Sequence, residues 1–311
     1  LTLTSIHTAA ALMLAALLTG CAPTPQPAPK PPPTTTPSTT ARPSLQAHAD
    51  PGEEDAYTRH IKALQARAPK GFTIVEAKPF VVLGDEAPWD VRARARTTVL
   101  WASQRLKAQY FDRDPKRIVD IWLFKDKISY MNHTRALWGE EPTTPYGYYT
   151  AKHNALVMNI ATGGGTLVHE MVHPFMATNF PACPSWFNEG LASLYEQCGD
   201  KDGRIYGYTN WRLAGLQEAI RARRLPRFKE LMSTTEHGFY YEDPGTHYAQ
   251  ARYLCYYLQE KGLLQRYYRD FVANHTTDPT GYATLQQVLG EPDMEQFQRD
   301  WEAWILTLHY P

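Results

Sequence analysis

The run His169-Glu170-Met171-Val172-His173 constrains this chain more than any other stretch, because two histidines four positions apart with a carboxylate between them act together only on a helix. At about 100° per residue the imidazoles lie about 40° apart around the axis, so both can aim a ring nitrogen at one ion. Glu170 lies about 60° from His173, off the ion but within reach of a water beside it, where a general base works. The spacing predicts a helix over 166–178 and a Zn2+ site with His169 and His173 as ligands and Glu170 as the base that activates a metal-bound water.

A catalytic zinc normally takes three protein ligands, and Glu189 is the obvious third. It stands in Cys183-Pro184-Ser185-Trp186-Phe187-Asn188-Glu189-Gly190-Leu191-Ala192, where Ser185 reads as an N-cap and Phe187, Leu191 and Leu194 recur at helical spacing. Gly190 inside that helix costs about 0.8–1 kcal/mol against Ala, and close approach to the histidine helix would explain it. Ser193, one turn after Glu189, reads either as a partner to a ligating histidine or as a plain helix serine.

With these residues the chain resembles the gluzincin metallopeptidases, the thermolysin- and aminopeptidase-like zincins in which H-E-x-x-H is followed by a glutamate on the next helix, often as N-E-G-x-A. The resemblance covers roughly 116–262 and is nearest to peptidase-MA-like domains of bacterial envelope proteins. It implies His169, His173 and Glu189 as zinc ligands and Glu170 as catalytic base. A metzincin pattern is excluded, since positions 176 and 179 hold Met and Asn rather than Gly and His. Pro174 lacks a backbone donor and clashes with the carbonyl of Glu170, so a kink is expected there.

Residues 117–124 and 155–160 read as strands before Gly163-Gly164-Gly165 breaks the chain. No G-K-[ST] follows those glycines, so they are not a phosphate loop. The resemblance implies that the strand preceding the motif is a sheet edge that pairs with extended substrate, which nominates Val157, Asn159 and Ala161 as substrate-binding. An amide transition state also needs an oxyanion donor. Tyr248, opening the helical stretch 247–258 as a tyrosine does in the metal-dependent aminopeptidases, is the candidate, with His237, Tyr240, Tyr241 and His247 as competitors.

The amino terminus bears on location. Residues 8–18 form an apolar core too short for a lasting bilayer anchor, and Leu18-Thr19-Gly20-Cys21 resembles the bacterial lipobox, in which the cysteine is acylated. No Lys or Arg precedes Cys21, unlike an ordinary secretory leader. From Ala22 to about Leu45 Pro and Thr dominate, as in a polyproline II tether reaching roughly 70 Å. The expected organisation is a signal peptide over 1–20, a tether over 21–45, and a zincin-like domain over 46–311, lipid-anchored in the bacterial cell envelope at the periplasmic face of the outer membrane.

Helical and strand patterns mix before the motif and helices alone are expected after it, so the fold class is α+β: a small mixed sheet with an edge substrate strand above a mainly helical half. Formal net charge is zero and Arg221-Ala222-Arg223-Arg224 is short, which argues against a nucleic-acid partner. With Cys21 acylated, Cys183, Cys198 and Cys255 allow one bridge at most. A helix between Cys183 and Cys198 disfavours their pairing, leaving Cys255 with either of them or three free thiols. The combined reading is a zinc-dependent peptidase, an endopeptidase because no G-x-M-E-N segment is present to hold a free amino terminus. The alternative is a non-catalytic envelope lipoprotein that keeps the zincin fold to bind peptide or a partner protein.

Overall fold

Strands covered on both faces must be apolar throughout, and the interior of the sheet is built from such runs. β2 (Phe80–Gly84), β3 (Val119–Phe124) and β5 (Ala155–Asn159) lie side by side in parallel, every residue buried. β1 (Thr73–Ala77) flanks them antiparallel to β2, and β4 (Gly147–Thr150) antiparallel to β5, giving the order β1-β2-β3-β5-β4. The computed structural model describes residues 55–310 other than 143 and 292. The apolar stretch 8–18, Cys21 and the Pro/Thr-rich segment lie outside the described residues.

Side chains alternate across β3 and so serve two cores. Val119, Ile121 and Leu123 face the larger one, with Val91, Val99 and Leu106 from a helical run of α2 (Pro88–Arg94), a π-helical segment (Ala95–Leu100) and α3 (Trp101–Gln109). Trp122 and Phe124 face the smaller one, closed by Leu64 of α1 (Ala56–Arg67) and Tyr130 of α4 (Lys127–Trp138). Asp120 interrupts that apolar face. Its buried carboxylate is matched by His60 at 2.6 Å and Arg67 at 2.8 Å, both on α1. Desolvation still holds its pKa above the ordinary aspartate value, against the pull of His60 and Arg67.

After β5 a short 3-10 turn (Ile160–Thr162) leads into α5 (Gly165–Asn179), which packs Leu167, Met171, Val172 and Phe175 into the larger core. Next come α6 (Ser185–Leu194), a hairpin of β6 (Cys198–Lys201) and β7 (Arg204–Gly207), α7 (Arg212–Arg221) and α8 (Phe228–Met232). A π-helical turn (Gly238–Glu242), α9 (Pro244–Glu260), α10 (Leu264–Asn274), α11 (Tyr282–Leu289) and α12 (Met294–Ile305) complete the described chain. None of these helices is long and apolar enough to cross a membrane.

The class is therefore mixed α and β, with three corrections to the sequence reading. Helices alone do not follow the motif, because Asp202 and Gly203 both adopt positive φ, 54° and 74°, and turn the chain into the β6–β7 hairpin. The outward edge of β7 is covered by side chains: Gln259 bonds both N–H and C=O of Gly207, at 2.8 and 2.9 Å, and Gln109 accepts from the Ile205 N–H at 2.7 Å. β5 is not an edge, since it pairs with β3 on one side and β4 on the other, so Val157 and Asn159 have no free main-chain side to offer a substrate. Ala161 lies in the 3-10 turn, and the sheet edge on this side is β4. Gly190 is required by α9 rather than by α5, because a Cβ there would lie 2.9 Å from the carbonyl oxygen of Ala251. Cys183, Cys198 and Cys255 are free thiols.

Candidate metal centre

Two close crossings assemble the site. At the first, Gly165 opens α5 against the backbone of Glu196, where a Cβ would fall 1.9 Å from the Glu196 carbonyl oxygen, so only glycine fits. At the second, Gly190 on α6 meets Ala251 on α9. The first fixes the histidine helix beside Glu196. The second brings Glu189 and Tyr248, one turn before Ala251, into the same space.

His169 and His173 stack edge to face on α5, ring centroids 5.0 Å apart. The helix continues through Asn179, so Pro174 does not break it, and its missing N–H leaves the Glu170 carbonyl without the usual helical donor. Glu189 Oε2 lies 3.3 Å from His169 Nε2, and Glu189 Oε1 lies 3.9 Å from His173 Nε2. Donors held tetrahedrally at about 2.0–2.1 Å from zinc stand about 3.3–3.4 Å apart, which the His169–Glu189 separation matches, whereas the His173 separation is longer and is made to the other Glu189 oxygen. Glu189 Oε2 is also buried without a hydrogen bond, as a ligand atom awaiting a cation is. Among the described residues, the group whose ligand atoms, one from each, all lie within 4.8 Å of one another is His169, Glu170 and His173. Glu170 Oε2 accepts the backbone N–H of Tyr149 on β4 at 3.1 Å.

Both histidines are backed from behind. Asn188 Oδ1 sits 3.1 Å from His173 Nδ1. Glu196 Oε1 sits 3.5 Å from His169 Nδ1, close enough for charge attraction although not aligned as a hydrogen bond. Glu196 is itself clamped by Arg212, at 2.9 and 2.7 Å, and by Asn210 at 3.0 Å. Ser193, weighed from sequence as a histidine partner, points its hydroxyl into a buried space with no hydrogen bond.

The electrostatics follow from burial and these pairs. Burial opposes charge on His169, but the Glu189 and Glu196 carboxylates beside its two ring nitrogens outweigh burial and raise it to about 10. Burial pushes Glu189 up, yet His173 and His169 bring it down to about 2. Glu170 is pushed above the ordinary carboxylate value by desolvation, which makes it a stronger base at neutral pH. Tyr240 donates to Glu189 Oε1 at 2.7 Å. Tyr248 is the fifth residue of α9 with Arg212 5.1 Å from its ring centre, and burial raises its phenol well above the ordinary value, so it remains a donor.

The structure thus brings together His169, Glu170, His173, Glu189 and Tyr248. Sequence reasoning missed Glu196, Asn188, Arg212 and the edge residue Tyr149. Asn188 and Glu196 stand one before and seven after Glu189, close to it in sequence, with Glu196 just past the end of α6. Arg212 and Tyr149 come from elements whose placement is tertiary. No protein-family model and no curated protein matches this chain.

Proposed function

We propose that this chain is a zinc-dependent peptidase of the gluzincin type. The observation that carries the reading is the pair of imidazoles on one helix with the Glu189 carboxylate 3.3 and 3.9 Å from their Nε2 atoms and a second, raised carboxylate, Glu170, beside them. The mixed sheet with its antiparallel edge strand above the histidine helix accords with a zincin arrangement.

His169, His173 and Glu189 would hold the ion, and zinc bound there supplies Lewis acidity toward a carbonyl and a lowered pKa for water. Glu170 is anchored through one oxygen on the Tyr149 N–H, leaving the other to take a proton from the attacking water and return it to the leaving amine. Tyr248 stays protonated and supplies a hydrogen bond to the carbonyl oxygen as charge develops on it. Tyr240 and Glu196 act through the ligands, by holding Glu189 and His169. The peptide runs past β4, the strand whose edge adjoins Glu170, rather than β5.

Acylation of Cys21 would place this activity at the envelope membrane, on the strength of Leu18-Thr19-Gly20-Cys21. The deciding experiment combines elemental mass spectrometry with a peptide-library digest on the wild type and Glu170→Gln. One zinc per chain in both, with cleavage by the wild type alone, is the expected result. Metal-free wild type after zinc loading, or equal cleavage by both, would overturn the proposal.

A further inference from the structure

The ladder between β4 and β5 alternates, so only every second residue of β4 turns its main chain outward. Tyr146 accepts from the Asn159 N–H on the inner side at 2.8 Å, which leaves Gly147 and Tyr149 facing out. At Tyr149 the N–H is taken by Glu170. At Gly147 both groups are taken by one buried hydroxyl: Thr144 Oγ1 accepts from the Gly147 N–H at 3.2 Å and donates to the Gly147 carbonyl at 3.0 Å. It accepts from the Tyr146 N–H at 3.2 Å as well. Thr144 is 4% exposed, and its own carbonyl receives the Tyr130 hydroxyl at 3.1 Å, so the cap is tied to α4. Beyond Thr150 the strand ends in the turn that leads to β5. Among the described residues, the Tyr149 carbonyl is left as the outward acceptor on this edge.

We propose that Thr144 is a specificity-determining residue which closes the sheet edge at Gly147, so that a substrate is held on β4 by a single main-chain hydrogen bond at Tyr149. This rests on the peptidase reading and narrows its substrate class. An extended strand gains nothing by running past Gly147, because the two groups it would pair with are already satisfied. Suitable substrates are short peptides, or bonds where the chain bends or branches within a residue of the cleavage point.

The test takes the shortest peptide that the full-length, zinc-loaded wild type cleaves and extends it by one to three residues at either end. Wild type should show a KM that is flat with length. Thr144→Ala removes the hydroxyl that holds both main-chain groups of Gly147, so KM for peptides lengthened toward Gly147 should fall about tenfold with kcat little moved. Thr144→Ser retains the hydroxyl and should restore the flat profile, which separates capping from a loss of folding. The same length dependence in all three proteins, or a wild-type KM that already falls with each added residue, overturns the proposal. Absence of cleavage by wild type with its zinc in place overturns the peptidase reading and this inference together, which distinguishes the two failures.

Discussion

Glu196→Gln removes one negative charge from the site with almost no change of volume. Its carboxylate and the Arg212 guanidinium are 3% and 10% exposed, and the two hydrogen bonds between them are 2.7 and 2.9 Å long. Taking the charge from one member of a buried pair leaves the other desolvated and uncompensated, at a cost of about 3–5 kcal/mol. For a chain of this size that is a fall of roughly 10 °C in the melting temperature of the metal-free protein. A second effect is separate, because His169 also loses the carboxylate behind its Nδ1, and zinc affinity should fall about 10–100-fold. The double variant Glu196→Gln/Arg212→Met removes both charges and should recover most of the stability but none of the affinity. Calorimetry on metal-free protein and chelator competition for zinc read the two effects independently. A single variant melting within about 2 °C of wild type, or a double variant no more stable than the single, would refute the reasoning about the pair. Unchanged zinc affinity would refute the role assigned behind His169.

Other expectations follow from the same geometry. Since metal-free His169 is raised to about 10 while Glu189 is ionised down to about 2, a metal must displace one proton from His169, and log affinity should climb about one unit per pH unit between roughly pH 7 and 10; a flat profile in a chelator titration contradicts this. Tyr248→Phe should lower kcat about 100-fold with zinc content intact, whereas Tyr240→Phe should weaken zinc binding through Glu189, and the reverse outcome would exchange their roles. Gly190→Ala drives a methyl to 2.9 Å from the Ala251 carbonyl oxygen and should cost about 1–3 kcal/mol in denaturant unfolding; a neutral substitution would mean that α6 and α9 separate freely.

Local periodicity carried much of the fold and the centre of the site. The strands at 119–124 and 155–159 and the helices bearing His169 and Glu189 stand close to their expected places, since each is a run whose apolar pattern has one solution. What escaped depends on neighbours that are distant in sequence. Whether β5 is an edge or an interior strand is decided by β4 folding back antiparallel, and nothing in Ala155-Leu156-Val157-Met158 differs between the two cases. Gly190 was legible as a close approach but not as an approach to Ala251, more than sixty residues away. Asp202-Gly203 was a readable turn signal that the helical bias of the flanking segments obscured. The π-helical segment at Ala95–Leu100 has no local signature, and no physical cause for it is evident.

The glutamines along β7 bear on how this protein behaves at high concentration. A two-stranded ribbon with a bare outer rim is a template on which another chain can grow, and the usual defences are charge, proline or a bulge. Here Gln259 satisfies the amide and carbonyl of Gly207, and Gln109 takes the amide of Ile205, so the rim offers an incoming strand no unmet amide at either position and no unmet carbonyl at Gly207. Both side chains reach it from helices of the same body, α3 and α9. Recruitment at that rim therefore requires those helices to loosen first, which links the colloidal stability of the hairpin to the conformational stability of the body behind it.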